Sequence, residues 1–404
     1  MGDQRLARCI GFSLVCWCAV TSAQTPWERH AIDVGSRGAD GVRLADANGD
    51  GRLDVATGWE EGGAVRVCLN PGPDAVRAPW PGVTVGEVDS PEDAVLVDVD
   101  GDGAVDVVTA CEGDVRCIFI HWAPGNPDRY LDSAAWNTVE LRPSKGKTRW
   151  MFCLPMDVDG RHAIDIAAGA KGSGANVGWF ESPADPRNTD AWQWHSLTPA
   201  GWIMSLQAVD MNSDGLEDIL VTDRKGLWRG CFWLQHPGRG DAAAGSWEKH
   251  YIGGRDKELM FLAVGDVNGD SEEDIVVAVR GQELLSLHKE GHGQWSEHIV
   301  PLPDNTGTGK GVAIADINLD GDNDMVFTCE HAFGKCGAMW LSHDNGQWVG
   351  HNISGVQGIK FDRIELLDLD DDGDLDLMTC EEAANLGVVW YENPTLEPEG
   401  PAQQ

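Results

Sequence analysis

Six stretches of this chain crowd side-chain oxygens into nine residues each, at positions 1, 3, 5 and 9 of the run. They are Asp46, Asn48, Asp50 and Asp54; Asp98, Asp100, Asp102 and Asp106; Asp210, Asn212, Asp214 and Asp218. Next come Asp266, Asn268, Asp270 and Asp274; Asp316, Asn318, Asp320 and Asp324; and Asp368, Asp370, Asp372 and Asp376. Position 6 is glycine in five of the six and Ser271 in the other. Calcium takes six to eight oxygen ligands from a flexible loop with a sharp turn, and these runs supply that donor set. Without a cation the carboxylates would repel one another. The reading is up to six structural Ca2+ ions, held at roughly 10⁻⁴–10⁻³ M as in extracellular modules, stabilising the fold by mass action. An EF-hand would end with a bidentate Glu at position 12 between helices. Here position 12 is Thr57, Thr109, Val221, Val277 and Phe327, and the flanks read as strands. A seventh, degraded copy begins at Asp157 and puts Arg161 at position 5. Its guanidinium is expected to replace the ion by pairing with Asp159 and Asp165.

The elements that hold these loops follow from their spacing. The seven copies begin at 46, 98, 157, 210, 266, 316 and 368, a period near fifty, which signals a repeat architecture. A short apolar run precedes each loop and a β-branched run follows it, as in Asp106-Val-Val-Thr and Asp274-Ile-Val-Val. A third run holds Trp122, Trp179, Trp233, Trp340 or Trp390, and a fourth is marked by Trp-x-x-His in five units, as at Trp247/His250. Short runs rich in Val, Ile, Thr and Trp, bounded by Gly, Asp and Pro, read as strands. The chain is therefore expected to be all-β: a seven-bladed β-propeller of four-stranded blades. The seventh unit lacks its fourth strand, and a spare one, Trp27–Ile32, precedes the first loop. The last blade should thus be closed by the N-terminal strand. The Trp and His that recur in most blades are read as packing and hydrogen-bonding scaffold.

Asp98-Val-Asp-Gly-Asp-Gly-Ala-Val-Asp and Leu367-Asp-Leu-Asp-Asp-Asp-Gly-Asp-Leu-Asp resemble FG-GAP/VCBS repeats, found in integrin α-subunit propellers and many secreted bacterial proteins. The resemblance covers essentially the whole chain after its first residues, and implies the propeller and its calcium. It implies no single function, since relatives include adhesion domains, lectins and propeller-type lyases or dehydratases.

A net charge of −36 argues against nucleic acid, which needs a basic footprint. Arg5 and Arg8, an apolar run over Cys9–Val20 and small residues to Ala23 read as a signal peptide. The expected division is a signal peptide over 1–23, a propeller over 24–395 and a disordered tail over 396–404. No membrane span should remain after cleavage, which places the protein as secreted or periplasmic, and as a monomer. Cys111/Cys117 and Cys329/Cys336 are candidate bridges across hairpins, with free buried thiols as the other reading.

In such a ring the loops opposite the metal runs converge on the axis. They hold Lys145, Lys147, Arg149, Trp150, Trp202, Arg255, Lys257, Lys310, Lys360 and Arg363 between blades. After the second strands they hold Glu60, Glu112, Lys171, Arg224, Lys225, Arg280, Glu330, His331, Glu381 and Glu382. Twelve of the 30 Lys and Arg residues gather there. Polar turns whose charges pair with one another are one explanation. A site for a glycan or protein ligand, an anionic one such as a uronate included, is the other. Its candidate residues are Lys147, Arg149, Trp150, Trp202, Lys257, Arg280, Lys310, Glu330, His331, Lys360, Arg363 and Glu381. Trp150 and Trp202 would stack, and the cations would pair with carboxylates. A polysaccharide lyase or sugar dehydratase using Lys, Arg or His331 as base is the alternative.

Overall fold

The structure, a computed structural model, describes residues 25–396; the expected signal peptide and, Leu396 apart, the tail lie outside them. The described residues form seven four-stranded antiparallel sheets. Blades 1 to 6 span residues 39–87, 91–140, 149–199, 203–253, 259–301 and 308–352. Blade 7 combines the strands Phe361–Leu367, Asp376–Glu381 and Gly387–Glu392 with the N-terminal strand Glu28–Asp33. Glu28 pairs with Glu392 and His30 with Trp390, so the two chain ends share one sheet. Ring closure by the N-terminal strand is thus as the split repeat requires.

The strand order explains the sequence pattern. Each second strand is sandwiched between the preceding and the following blade, and its residues are buried on both faces, as in Asp54–Trp59 and Asp274–Val279. That is why these segments read as continuous β-branched runs rather than as alternation. The closing interface is built the same way, with Met378 and Trp390 of blade 7 packed with Val42, Val55 and Trp80 of blade 1. No helix of the described residues is long and apolar enough to cross a membrane.

The recurrent Trp and His pair across the third and fourth strands. Trp179 stacks on His195, Trp233 on His250 and Trp340 on His351, with ring centroids 3.9–4.5 Å apart. Where the Trp would stand, opposite the second residue after position 9, blade 1 places Val67, blade 2 Ile120 and blade 5 Ser286. All eight described cysteines are free and buried. Cys111 and Cys117 face each other in the ladder, but the Cys117 thiol donates to the Ile118 carbonyl. The Cys336 sulfur instead accepts from Asn305 Nδ2 at 3.2 Å. The buried-thiol reading therefore describes these residues, and the two bridges do not form.

Candidate functional site

At one pole lie the nine-residue loops, each joining a first strand to a second. The position 1 carboxylate folds the loop onto itself: Asp46 accepts N–H bonds from Gly49 and Gly51, both at 2.8 Å, Asp98 and Asp266 accept from the same two positions, and Asp368 accepts from Asp372 and Gly373. Position 6 is in the left-handed region in every loop, with φ 86° at Gly51 and 70° at Ser271. The position 9 Asp is buried and anchors the loop. Asp54 accepts from the Ala47 N–H and from the Asn70 N–H beyond the third strand, and Asp106, Asp218 and Asp376 repeat both bonds. Burial, with the position 1 to 5 carboxylates adding to it, pushes Asp54 up to about 6, Asp106 and Asp324 to about 7 and Asp376 to about 8. An all-oxygen donor set this short of positive charge fits a hard divalent cation.

The loops divide into two kinds. Those of blades 1, 4, 5 and 6 have Asn at position 3, namely Asn48, Asn212, Asn268 and Asn318; those of blades 2, 3 and 7 have Asp100, Asp159 and Asp370. Each loop with the additional carboxylate meets an arginine from the following blade. Arg187 bonds Asp100 and Asp102, Arg239 bonds Asp157 at 2.5 Å, and Arg77 bonds Asp370 and Glu392. In these same three loops the carboxylates converge within 4.8 Å: Asp98, Asp100 and Asp106; Asp157, Asp159 and Asp165; Asp368, Asp370 and Asp372. The guanidinium offsets the charge that Asn lacks. In the third loop Arg161 approaches Asp159 only to 3.9 Å and bonds Asp241 of blade 4 at 2.6 Å. The expected pairing with Asp165 does not form, because Asp165 accepts from the Val158 and Ser182 N–H groups.

At the opposite pole a cavity of about 400 Å³ opens on the axis, and every blade contributes to its wall. Two rows of residues form it. The sixth residue before each loop supplies Asp40, Glu92, Met151, Met204, Lys310 and Asp362. The sixth after each position 9 supplies Glu60, Glu112, Lys171, Arg224, Arg280 and Glu330. Phe152, Trp202, Phe261, Lys225, Lys360 and Arg363 complete much of the rest.

The charges of the wall are largely matched from blade to blade. Lys171 bonds Glu92 at 3.1 Å and Glu112. Arg224 bonds Glu258 at 3.0 Å, Arg280 bonds Glu330 at 2.6 Å and Lys310 bonds Asp362 at 3.0 Å. Lys225 pairs with no carboxylate among the described residues; its ammonium lies 4.5 Å from the Trp202 ring centre. Burial raises Asp40 well above the carboxylate range, and Asp362 adds to this. Asp362, also buried, stays low through Lys310 and Lys360. The two acids thus form a proton donor beside a proton acceptor, while Asp40, Glu60 and Glu92 bring oxygens within 4.8 Å of one another.

Of the twelve residues expected on this face, Trp202, Arg280, Lys310, Glu330, Lys360 and Arg363 line the cavity. Trp150 does not stack there; it is buried, and its Nε1 donates to the Ser144 carbonyl. Glu381 is buried too, and accepts N–H bonds from Ile359, Lys360 and Ala384. Lys257 pairs with Glu283 at 2.7 Å, and the exposed His331 bonds the Thr308 hydroxyl at 3.0 Å. Lys147 and Arg149 lie outside the wall, Lys147 near the Trp194 ring. Asp40, Glu92, Asp93, Phe152, Phe261 and Asp362 were not expected. The signal for them was available, since counting back five or six residues from each loop reaches them.

Residues 46–109, 157–221 and 266–327 match the FG-GAP-like repeat family. No curated protein matches the chain. Among solved structures, an ancestral GH74 enzyme superposes over 91% of this chain at 12% identity, with a TM-score of 0.56. This chain spans about half of that one, 49%. BBS1N, solved in complex with ARL6DN, superposes over 93% of this chain and 98% of its own at 10% identity, with a TM-score of 0.50. Likenesses at such identities concern the fold.

Proposed function

Starting from a chain that carries FG-GAP-like repeats and closes them into a seven-bladed ring, we propose a secreted or periplasmic calcium-stabilised binding propeller. Its ligand is a hydroxylated one, such as the end of a glycan, and enters the axial cavity. The observation that carries this reading is the wall itself. Seven carboxylates and seven Lys or Arg residues, counted from its lining, surround about 400 Å³ in a chain of net charge −36. Most of them are paired, so the cavity offers fixed acceptors and donors in balance rather than a field of one sign. That suits hydroxyl groups, each of which donates and accepts. Trp202, Phe152 and Phe261 give an apolar side on which a sugar ring can rest. Lys225 is the cation best placed to take an added carboxylate, as in a uronate.

The supporting experiment is a glycan panel read by calorimetry, with Lys225→Ala and Trp202→Ala as probes. Binding by the parent protein weakened at least tenfold in both variants is the expected result. No binding across neutral and uronate glycans would remove the reading. One observation favours a catalytic alternative, a lyase or dehydratase: the Asp40/Asp362 couple, which supplies a general acid beside a base. Unsaturated product absorbing in the ultraviolet, lost in Asp40→Asn, would establish turnover.

A further inference from the structure

We propose that the gap between blades 5 and 6, at the pole of the nine-residue loops, is a docking cleft for a partner's polypeptide segment carrying aromatic side chains. The proposal rests on how the chain fills its other gaps. Each gap between successive blades is bounded by the third strand of one and the hairpin between the third and fourth strands of the next. In blades 1 to 4 that hairpin is a long loop, residues 69–81, 123–136, 182–192 and 236–247. Each loop buries a tryptophan: Trp80, Trp136, Trp192 and Trp247. In each, the indole N–H is tied to a carbonyl of the loop itself, at Val76, Tyr130, Pro186 and Ala243. These loops are plugs.

Blades 5 and 6 have no plug. Their strands Glu283–Glu290 and Gln294–Pro301, and Ala338–Asp344 and Gln347–Asn352, are joined by short turns. Between blades 4 and 5 the third-strand Trp233 fills the space with Leu287 and Trp295. Between blades 5 and 6 the third strand offers Ser286 instead. Neither filler is present there, and a cavity of about 470 Å³ results. His288 and His298 stack at 4.2 Å along one wall, with Trp348 and His343 on the other and Met325 below. Ile299 on its border is 46% exposed. Asn323 of loop 6 donates to the Asp266 carbonyl of loop 5 at 2.7 Å, which fixes the two rims together.

The nearest template is the gap between blades 1 and 2. There too the third strand lacks its tryptophan, having Val67, and the loop has Asn48 at position 3 and no arginine from the next blade. The chain fills it with Tyr130 and Trp136, buried against Ala47 and Val65. Arg129 of that plug pairs with Asp132 of the plug itself. The occupant for the cleft between blades 5 and 6 is therefore aromatic and needs no arginine, unlike the plugs that meet loops with Asp at position 3.

A fluorescein-labelled peptide of residues 126–137 of this chain is the probe, titrated with the intact protein in calcium and followed by anisotropy. Saturable binding is expected, lost at least tenfold in the peptide with Trp136→Ala and unchanged with Arg129→Ala. Ser286→Trp, which restores the stack on His298, should weaken binding at least tenfold. Should that variant fold poorly, grafting residues 123–136 in place of the turn at Asn345 and Gly346 fills the cleft in cis. The graft should abolish peptide binding and raise Tm. No binding of the parent peptide, or binding that survives the filled cleft, overturns the proposal.

Discussion

At one pole of the ring the same nonapeptide returns blade after blade; at the other, the pair of residues changes around the ring, and only blades 4 and 5 share one, Met204 with Arg224 and Met260 with Arg280. Asp54, Asp106, Asp218 and Asp376 make the same two bonds in their own blades. Asp40, Lys310 and Asp362 occupy one register position in three blades and differ in charge. A residue that every blade needs is scaffold, and one that varies within a fixed frame is free to specify a ligand. The poles share an electrostatic device, however. Where the loops gain a carboxylate an arginine arrives from the next blade, and around the axis Lys171, Arg224, Arg280 and Lys310 each lean on an acid of a neighbouring blade.

The largest expected effect concerns the axial wall. Lys310 is buried against Asp362, so Lys310→Met strips a buried carboxylate of its bonded partner, leaving Lys360 as the other cation that acts on it. The substitution should cost about 3 kcal/mol in denaturant unfolding. A loss below ~1 kcal/mol would mean that the wall is not held by its pairs. At the loop pole, Asp376→Ala orphans the Leu369 and Asn393 N–H groups. At about 1–3 kcal/mol for each unsatisfied group, it should lower the unfolding midpoint nearly as far. Arg187→Ala should cost about 1 kcal/mol, given how exposed the guanidinium is. Adding Asp100→Asn, which recreates the loop of the other kind, should recover most of it. Additive losses in that double mutant would separate arginine from position 3.

The pH dependence should reveal one buried scaffold residue. His121 lies between the Thr109 and Thr138 hydroxyls at 3.0 and 2.8 Å, and burial lowers it to about 3. Below its unfolded value, near 6.5, the unfolded chain takes up a proton that the folded one refuses. Stability should therefore fall as pH drops from about 6.5 toward 3, and His121→Gln should flatten that slope. The smallest effect belongs to Ser271, in the left-handed region where five of the other loops use glycine. Ser271→Gly should add roughly 0.5–1 kcal/mol, from relief of that strain; a measured loss would show that the hydroxyl has a role of its own.

The architecture was readable from the sequence because repetition exposes it. Seven loop starts, a β-branched run after each and a fourth strand displaced to the N-terminus leave few other ways to bury the apolar residues. The axial wall was readable only in part. Reasoning from loops found Arg280, Glu330 and Lys310, but not Asp40 or Asp362, which belong to the beginnings of strands and are visible only by counting in register. Trp150 was misplaced for a related reason: an aromatic residue next to a loop is also an aromatic residue next to a core. The arginines of the loop pole are 82 and 87 residues, or 293 across the ring closure, away from the acids they meet, and no local pattern announces them.

Calcium occupancy of the repeated loops is the central claim, and thermal unfolding with and without chelator tests it most directly. At calcium about tenfold above a Kd of ~10⁻⁴–10⁻³ M, each occupied loop contributes roughly 1.4 kcal/mol, so several loops together should shift Tm by about 10 °C or more. EDTA should abolish that shift and excess calcium restore it, while magnesium restores less. A melt unmoved by EDTA, in protein whose elemental analysis contains no calcium, would contradict the account.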